Sequence, residues 1–226
     1  MLLTVIIPVF NEVKTIDEVL KRVNELDLKK EIIVVDDFST DGTREKLTCY
    51  QYNAGIKCFF HKTNMGKGSA IRTGLQHAMG DLVIIQDADL EYDPEDFYKL
   101  IKPFKNGEAD VVYGSRFKGN FKGMRLQNII ANKLLTVLTN ILYGAHITDM
   151  ETCYKMMRTD LVKNIHLRAN RFDFEPEITA KILRKKIRFL EVPITYNGRT
   201  HSQGKKIGWK DGFHAIFALI KYRFLN

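Results

Sequence analysis

Val83-Ile84-Ile85-Gln86-Asp87-Ala88-Asp89-Leu90-Glu91 is the stretch on which the reading of this chain turns. The apolar run suits a strand buried on both faces, and the acids begin where that strand leaves the sheet. In an open α/β sheet, ligands gather outside the carboxyl ends of the strands. Asp87, Asp89 and Glu91 alternate, so an extended backbone is expected to point all three to one side. Three converging carboxylates repel one another unless a positive group sits between them. A hard cation such as Mg²⁺ or Mn²⁺, itself carrying phosphate oxygens, meets that need. The plainer alternative is a polar strand end whose solvated acids fan apart.

Outward from this strand, the pattern alternates between β and α. Leu2-Leu3-Thr4-Val5-Ile6-Ile7-Pro8-Val9 predicts a first strand, after which Asn11 is expected to cap a helix through Val13, Ile16, Val19, Leu20 and Val23. Glu31-Ile32-Ile33-Val34-Val35 predicts a second strand that also ends in acids, Asp36 and Asp37, followed by the turn Asp41-Gly42 and a helix capped by Thr43. Ile56-Lys57-Cys58-Phe59-Phe60 makes a third short strand. Asn64-Met65-Gly66-Lys67-Gly68 opens the next helix; it fails the phosphate-loop pattern, since Gly68 follows Lys67 where Ser or Thr belongs. What remains is a tight turn approaching a ligand, or a plain helix start. Asp93 and Pro94 mark another helix start, and Ala109-Asp110-Val111-Val112-Tyr113 another strand closing on Gly114-Ser115-Arg116.

The second half changes character. Residues 117–125, rich in glycine and basic side chains, read as a mobile loop. A helix follows from Leu126, with Ile129, Ile130, Leu134, Val137, Leu138, Ile141 and Leu142 on an apolar side expected to face the core, and an interfacial membrane role as the alternative. Asp149, Glu151, Cys153 and Lys155 alternate as in a short strand. Another helix is expected beyond Glu177, a strand at 187–196, a second basic loop at 198–206, and a last helix, Trp209–Phe224.

Composition bounds the class. With 226 residues, 45% of them hydrophobic, one large α/β domain is expected, its first half, 1–116, binding a nucleotide if any part does, and 117–226 completing it. Lys and Arg number 35 against 27 Asp and Glu, and this net charge of +8 favours anionic partners. Cys49, Cys58 and Cys153 form no C-x-x-C pair, which fits a reduced, cytoplasmic protein. No cleavable signal is read at the N-terminus, and no apolar run approaches the ~20 residues of a spanning helix, so peripheral contact with the cytoplasmic membrane face is the expected limit.

Five motifs then appear together and in order: Val5-Ile6-Ile7-Pro8-Val9-Phe10-Asn11-Glu12, Asp36-Asp37-Phe38-Ser39-Thr40-Asp41-Gly42-Thr43, Asn64-Met65-Gly66-Lys67-Gly68, Asp87-Ala88-Asp89 and Gly114-Ser115-Arg116. The chain thereby resembles the family 2 inverting glycosyltransferases, in particular the dolichyl- and other polyprenyl-phosphate mannosyltransferase branch. The resemblance implies a glycosyltransferase A-type fold: α/β, with a mostly parallel central sheet and helices on both faces. It implies that Pro8, Phe10, Glu12 and Asp37 receive the base and ribose of a nucleotide-diphosphate sugar. By the same resemblance, Asp87, Ala88 and Asp89 meet its diphosphate, with Asp87, Asp89 and Glu91 on Mg²⁺ or Mn²⁺. The position of Glu91 is commonly Gln in mannosyltransferase relatives. Arg116 and Arg125 resemble the arginines that hold a lipid phosphate, and Arg199 with Lys205 or Lys206 the segment that folds over the donor. Asp89, Arg116, Arg125 and Arg199 are the implied catalytic set. Thr148-Asp149-Met150-Glu151-Thr152-Cys153-Tyr154 departs from the usual Ser-Gly-Phe version, and 198–206 departs from the mannosyltransferase loop.

The implied reaction is transfer of a hexose from GDP-mannose or a UDP-sugar to a polyprenyl (dolichyl or undecaprenyl) phosphate, by one in-line displacement with inversion. An anionic phosphate acceptor needs no general base. If the acceptor is instead a saccharide hydroxyl, as in surface polysaccharide synthesis, a base is required, and Asp149, Glu151, Asp173 and Glu175 are candidates. A sugar nucleotidyltransferase is the nearest enzymatic rival. A non-catalytic nucleic-acid binder is the rival from another class; against it, aromatics are not interleaved with the basic residues and acids line the strand ends.

Overall fold

Apolar runs closed by turn residues become the strands of one seven-stranded sheet in the computed structural model, which describes residues 1–51, 53, 55–185, 187–199 and 209–225, and the side chains of these except at 209–211. In chain order the first elements are β1 (Leu3–Val9), α1 (Ile16–Glu25), β2 (Lys30–Asp36), α2 (Thr43–Tyr50), β3 (Ile56–Phe60), α3 (Lys67–His77), β4 (Leu82–Ile85) and α4 (Phe97–Lys105). Then come β5 (Val111–Lys122), α5 (Leu126–Tyr143), β6 (Lys155–Arg158), α6 (Thr159–Lys163), α7 (Phe174–Leu183), β7 (Phe189–Asn197) and α8 (Trp209–Phe224). The sheet order is β3-β2-β1-β4-β6-β5-β7. β1 runs parallel to β2 and β4, β2 to β3, and β5 to β7; only β6 is antiparallel to its neighbours.

Strand β2 shows why both faces are covered. Ile32 and Val34 join the main core with Leu20 of α1 and Leu47 of α2, whereas Ile33 and Val35 meet Ala70 and Ala78 on the opposite side. Such a strand reads as an unbroken apolar run because neither face is wet. The order of strands reverses between β1 and β4, so the chain ends of these two strands border a crevice where ligands bind in such sheets.

Several local expectations differ from what is observed. Asn11 does not cap α1, whose N-cap is Thr15; Asn11 takes φ 54° and its side chain accepts from Thr40 N (2.8 Å). Thr43 begins α2 behind Gly42, and its hydroxyl donates to Asp41 (2.5 Å). Residues 117–122 are no loop but the outer part of β5, paired with β7 across an irregularity between Ser115 and Asn120. Gly119 lies in that irregularity because a Cβ there would run into the Ile194 backbone. Residues 149–152 form a turn, and only Lys155–Arg158 is strand.

Helix α5 is rotated partway from expectation: Leu138 and Leu142 of the expected side pack against the core around Leu135. Thr136 and Thr139 are buried, while Ile130, Leu134, Val137 and Ile141 are exposed. The hydroxyls tolerate burial because each has a partner: Thr139 donates to Leu135 O (2.8 Å), and Thr136 accepts from Met150 N (3.1 Å).

Candidate functional site

Side chains leaving the ends of β1, β2 and β4 meet at the crevice. Strand β4 ends at Ile85, and Leu90 takes φ 62°, so the extended backbone expected to align three acids is absent. Asp87 and Asp89 face the crevice, whereas Glu91 turns toward the end of β7. Two basic side chains lie among the acids. Lys67, the first residue of α3, sits 2.8 Å from both Asp87 and Glu175. Arg199 donates to Glu12 Oε2 (3.0 Å), to Glu12 Oε1 (3.3 Å) and to Asp89 Oδ2 (3.1 Å). Thr15 Oγ1 donates to Ala88 O (2.6 Å), which ties the start of α1 to the acidic turn.

Negative charge is in excess here. Glu12, Asp87, Asp89 and Glu91 share Lys67 and Arg199, and Asp89 is pushed up to about 7, first by burial and then by the charges of Asp87 and Glu91. An incoming diphosphate would deepen that excess. A divalent cation relieves it, and Mg²⁺ is commonly held by one or two carboxylates plus substrate phosphate oxygens. Among the described residues no three Asp, Glu, His or Cys side chains form a ready metal cage. Asp87 and Asp89 with ligand oxygens fit such an ion, and Glu91, which accepts from Tyr196 and Arg199 N, lies at the same cluster with Oε1 3.9 Å from Arg199 Nε.

Other expected site residues fall into place unevenly. Pro8 is buried within β1, paired to Val35, and Phe10 follows that strand half-buried. Asp37 is heavily used: Oδ1 accepts from Met65 N (2.8 Å) and faces His61 Nδ1 (2.8 Å), while Oδ2 accepts from Gly66 N (2.6 Å). A carboxylate has about four acceptor positions, so these three contacts take up most of the capacity of a side chain only 4% exposed. The glycines of the Gly66-Lys67-Gly68 turn are explained by packing: a Cβ on Gly68 would lie 2.5 Å from Ala169 O, and Gly66 combines φ 93° with an equally close Asn170 backbone. That turn presents Lys67 to the site, a role the motif did not reveal.

In the second half, Arg116 departs from expectation. It is buried, and its N (3.0 Å), Nε (2.7 Å) and Nη2 (2.7 Å) all donate to Asp149. Its guanidinium thus shapes the turn at 148–150, while Arg125, at the start of α5, is exposed. Among the described residues Glu151 Oε1 is buried without a partner, and Glu151 is raised to about 7 by burial and then by Glu175. Lys205 and Lys206 lie outside the described residues. Tyr196, His61 and Thr15, which no local motif marks, act on the site through hydrogen bonds between distant segments.

Comparison with known proteins adds to this geometry. Residues 4–165 match the family described as Glycosyl transferase family 2. The dolichol-phosphate mannosyltransferase of Pyrococcus furiosus is 31% identical over 92% of this chain and 60% of its own length, so the chain spans less than two thirds of that relative. The UDP-N-acetylglucosamine–dolichyl-phosphate N-acetylglucosaminyltransferase of Methanococcus voltae is 28% identical over 97% of this chain and 95% of its own. Among solved structures, glucosyl-3-phosphoglycerate synthase from Mycobacterium tuberculosis, in complex with Mn²⁺, UDP and phosphoglyceric acid, has a TM-score of 0.76 at 19% identity, covering 99% of this chain and 79% of that one. The shared architecture is the glycosyltransferase A-type sheet.

Proposed function

The chain belongs to glycosyl transferase family 2, and from that premise we propose that it moves a hexose, with inversion, from a GDP- or UDP-sugar to a polyprenyl phosphate at a membrane surface. The observation that carries the donor half of this reading is the acidic crevice at β1 and β4, held by Lys67 and Arg199. Asp87 and Asp89 would hold a cation there, which would supply charge neutralisation to the departing diphosphate. Arg199, already aimed at Asp89, adds fixed positive charge. Lys67 holds Asp87 against Glu175, and Asp37 braces the turn that carries Lys67. One acceptor oxygen bonds to the anomeric carbon as the sugar–diphosphate bond breaks, and the electron pair leaves with the nucleoside diphosphate.

The acceptor half is supported by charge and surface. Asp149 is paired with Arg116, and Glu175 shares Lys67 with Asp87, so each is held by a cation, which suits an acceptor that arrives already ionised. Arg125, exposed at the start of α5, is available to its phosphate within the 117–226 half that we assign to the acceptor. α5 and α8 pack together, Tyr143 donating to Leu219 O (2.6 Å), and leave Leu134, Ile141, Phe213 and Phe217 exposed, with Lys133 next to Leu134 and Lys221 next to the exposed Ile220 in the chain. Among the described residues no helix is long and apolar enough to cross a membrane. Such faces suit contact with an anionic leaflet. Replacing Leu134 and Ile141 together with Glu is expected to lower cosedimentation with anionic vesicles by about tenfold. Transfer to a short-chain, water-soluble acceptor should stay near the wild-type rate.

The donor and acceptor are tested together by incubating the protein with Mn²⁺, GDP- and UDP-hexoses and a polyprenyl phosphate, then identifying the lipid product. No product with any donor would overturn the proposal. A saccharide-hydroxyl acceptor is the second reading, favoured by the unpartnered Glu151 oxygen. Glu151→Gln decides: transfer to a phosphate is expected to stay within about threefold, whereas loss of a working base costs about 10²–10⁴-fold.

A further inference from the structure

His61 lies just past β3 and is held on both sides of its backbone. Its N donates to Asp36 O (2.9 Å), and its carbonyl accepts from Arg44 Nη2 (2.6 Å). From that place the ring reaches two other elements: Nδ1 is 2.8 Å from Asp37 Oδ1, and Nε2 is 2.9 Å from the Thr73 hydroxyl of α3. The two partners differ in what they can do. A carboxylate only accepts, whereas a hydroxyl donates or accepts. The proton therefore belongs on Nδ1, and Thr73 adapts to whichever state Nε2 takes. Asp37 also accepts from Met65 N (2.8 Å) and Gly66 N (2.6 Å), the two amides just ahead of α3, where a helix start favours negative charge. The next residue is Lys67, 2.8 Å from both Asp87 and Glu175.

We propose that His61 is a positioning residue of the donor site: its Nδ1–H holds the Asp37 carboxylate in the orientation that fixes the amides of 65 and 66, and so delivers Lys67 to Asp87. This rests on the donor-site reading above and adds to it how the ends of β2 and β3 set a positive charge beside the acids that follow β4. Helix α3 is seated independently, since Ser69 N donates to Asn170 O (3.1 Å) and a Cβ on Gly74 would lie 2.5 Å from Ile6 Cγ2. Losing the bond from His61 should therefore free the turn without unseating the helix.

Two replacements separate the two ring bonds. In His61→Asn the amide nitrogen stands about where Nδ1 stood and can donate to Asp37; in His61→Gln it stands near the place of Nε2 and reaches Thr73 instead. Each variant is compared with wild type by amide hydrogen exchange at 65–67 and by affinity for GDP or UDP with Mn²⁺. For His61→Gln, exchange at 65 and 66 is expected to speed by about tenfold and nucleotide affinity to fall by about tenfold. His61→Asn should stay within about threefold of wild type in both. Equal losses in the two variants, or none in His61→Gln, would overturn the proposal. Nitrogen NMR of the wild-type imidazole keeps the test open if a variant fails to fold: a proton on Nδ1 supports the proposal, and a bare Nδ1 overturns it. If wild type binds neither nucleotide, the donor-site reading fails. In that case the exchange data still decide whether His61 holds the turn: faster exchange in His61→Gln that His61→Asn restores supports it, and any other pattern overturns it.

Discussion

Asp89→Asn is expected to lower transfer by about a thousandfold while leaving the protein folded. Asp89 stands where the acidic turn, Arg199 and the incoming diphosphate meet. Its Oδ1 accepts from Glu91 N (3.1 Å) and its Oδ2 from Arg199 Nη2 (3.1 Å). The carboxamide keeps an oxygen for Glu91 N, so the turn retains its bond. It also removes one charge from a cluster so crowded that burial, Asp87 and Glu91 together push Asp89 up to about 7. The fold should therefore lose nothing, and a melting temperature within about 3 °C of wild type is expected. Activity needs the lost charge, because a cation and Arg199 can be held over the diphosphate only if the protein presents anions to them. Initial rates at saturating donor, with the melting curve of the same sample, make the check. A folded variant retaining more than about a tenth of the wild-type rate would remove Asp89 from the mechanism.

What the sequence disclosed follows the range of the interactions involved. Strands β1, β2 and β4 are legible because burial on both faces forces an unbroken apolar run. The start before α4 is legible because Asp93 accepts from Glu95 N (3.1 Å) within the same turn, beside Pro94. Both signals are written in neighbouring residues. The direction of Glu91 is not, because it depends on one left-handed residue, Leu90, that carries no glycine to advertise it. The pairing of Lys67 with Glu175 needs α3 and α7 brought together, which no local pattern records. Helix α5 shows a third limit. Its spacing marks an apolar stripe of which Leu138 and Leu142 do pack inward, but periodicity does not say which edge of the stripe meets the core. Here Thr136 and Thr139 could be buried once their hydroxyls were satisfied, leaving Leu134 and Ile141 exposed.

The same contrast between resemblance and geometry sets the expected result for Asp149→Ala, a loss of about 3–5 kcal/mol. Asp149 is fully buried and receives three hydrogen bonds from Arg116, so its removal strands a guanidinium inside the protein. In a chain of this size the loss corresponds to a melting temperature lower by about 6–20 °C. Arg116→Met should be comparably destabilising, because it strands the carboxylate instead. Combining Arg116→Met with Asp149→Leu should cost less than the sum, since neither partner is then left charged and alone. The double-mutant cycle by denaturant unfolding measures that coupling, and acceptor kinetics on Arg116→Met supply the opposing test. If the variant melts with wild type and instead raises the KM for polyprenyl phosphate by about tenfold or more, Arg116 meets the acceptor as the resemblance implies. A large stability loss with strong coupling places Arg116 in the wall of the site instead, leaving Arg125 to meet the lipid phosphate.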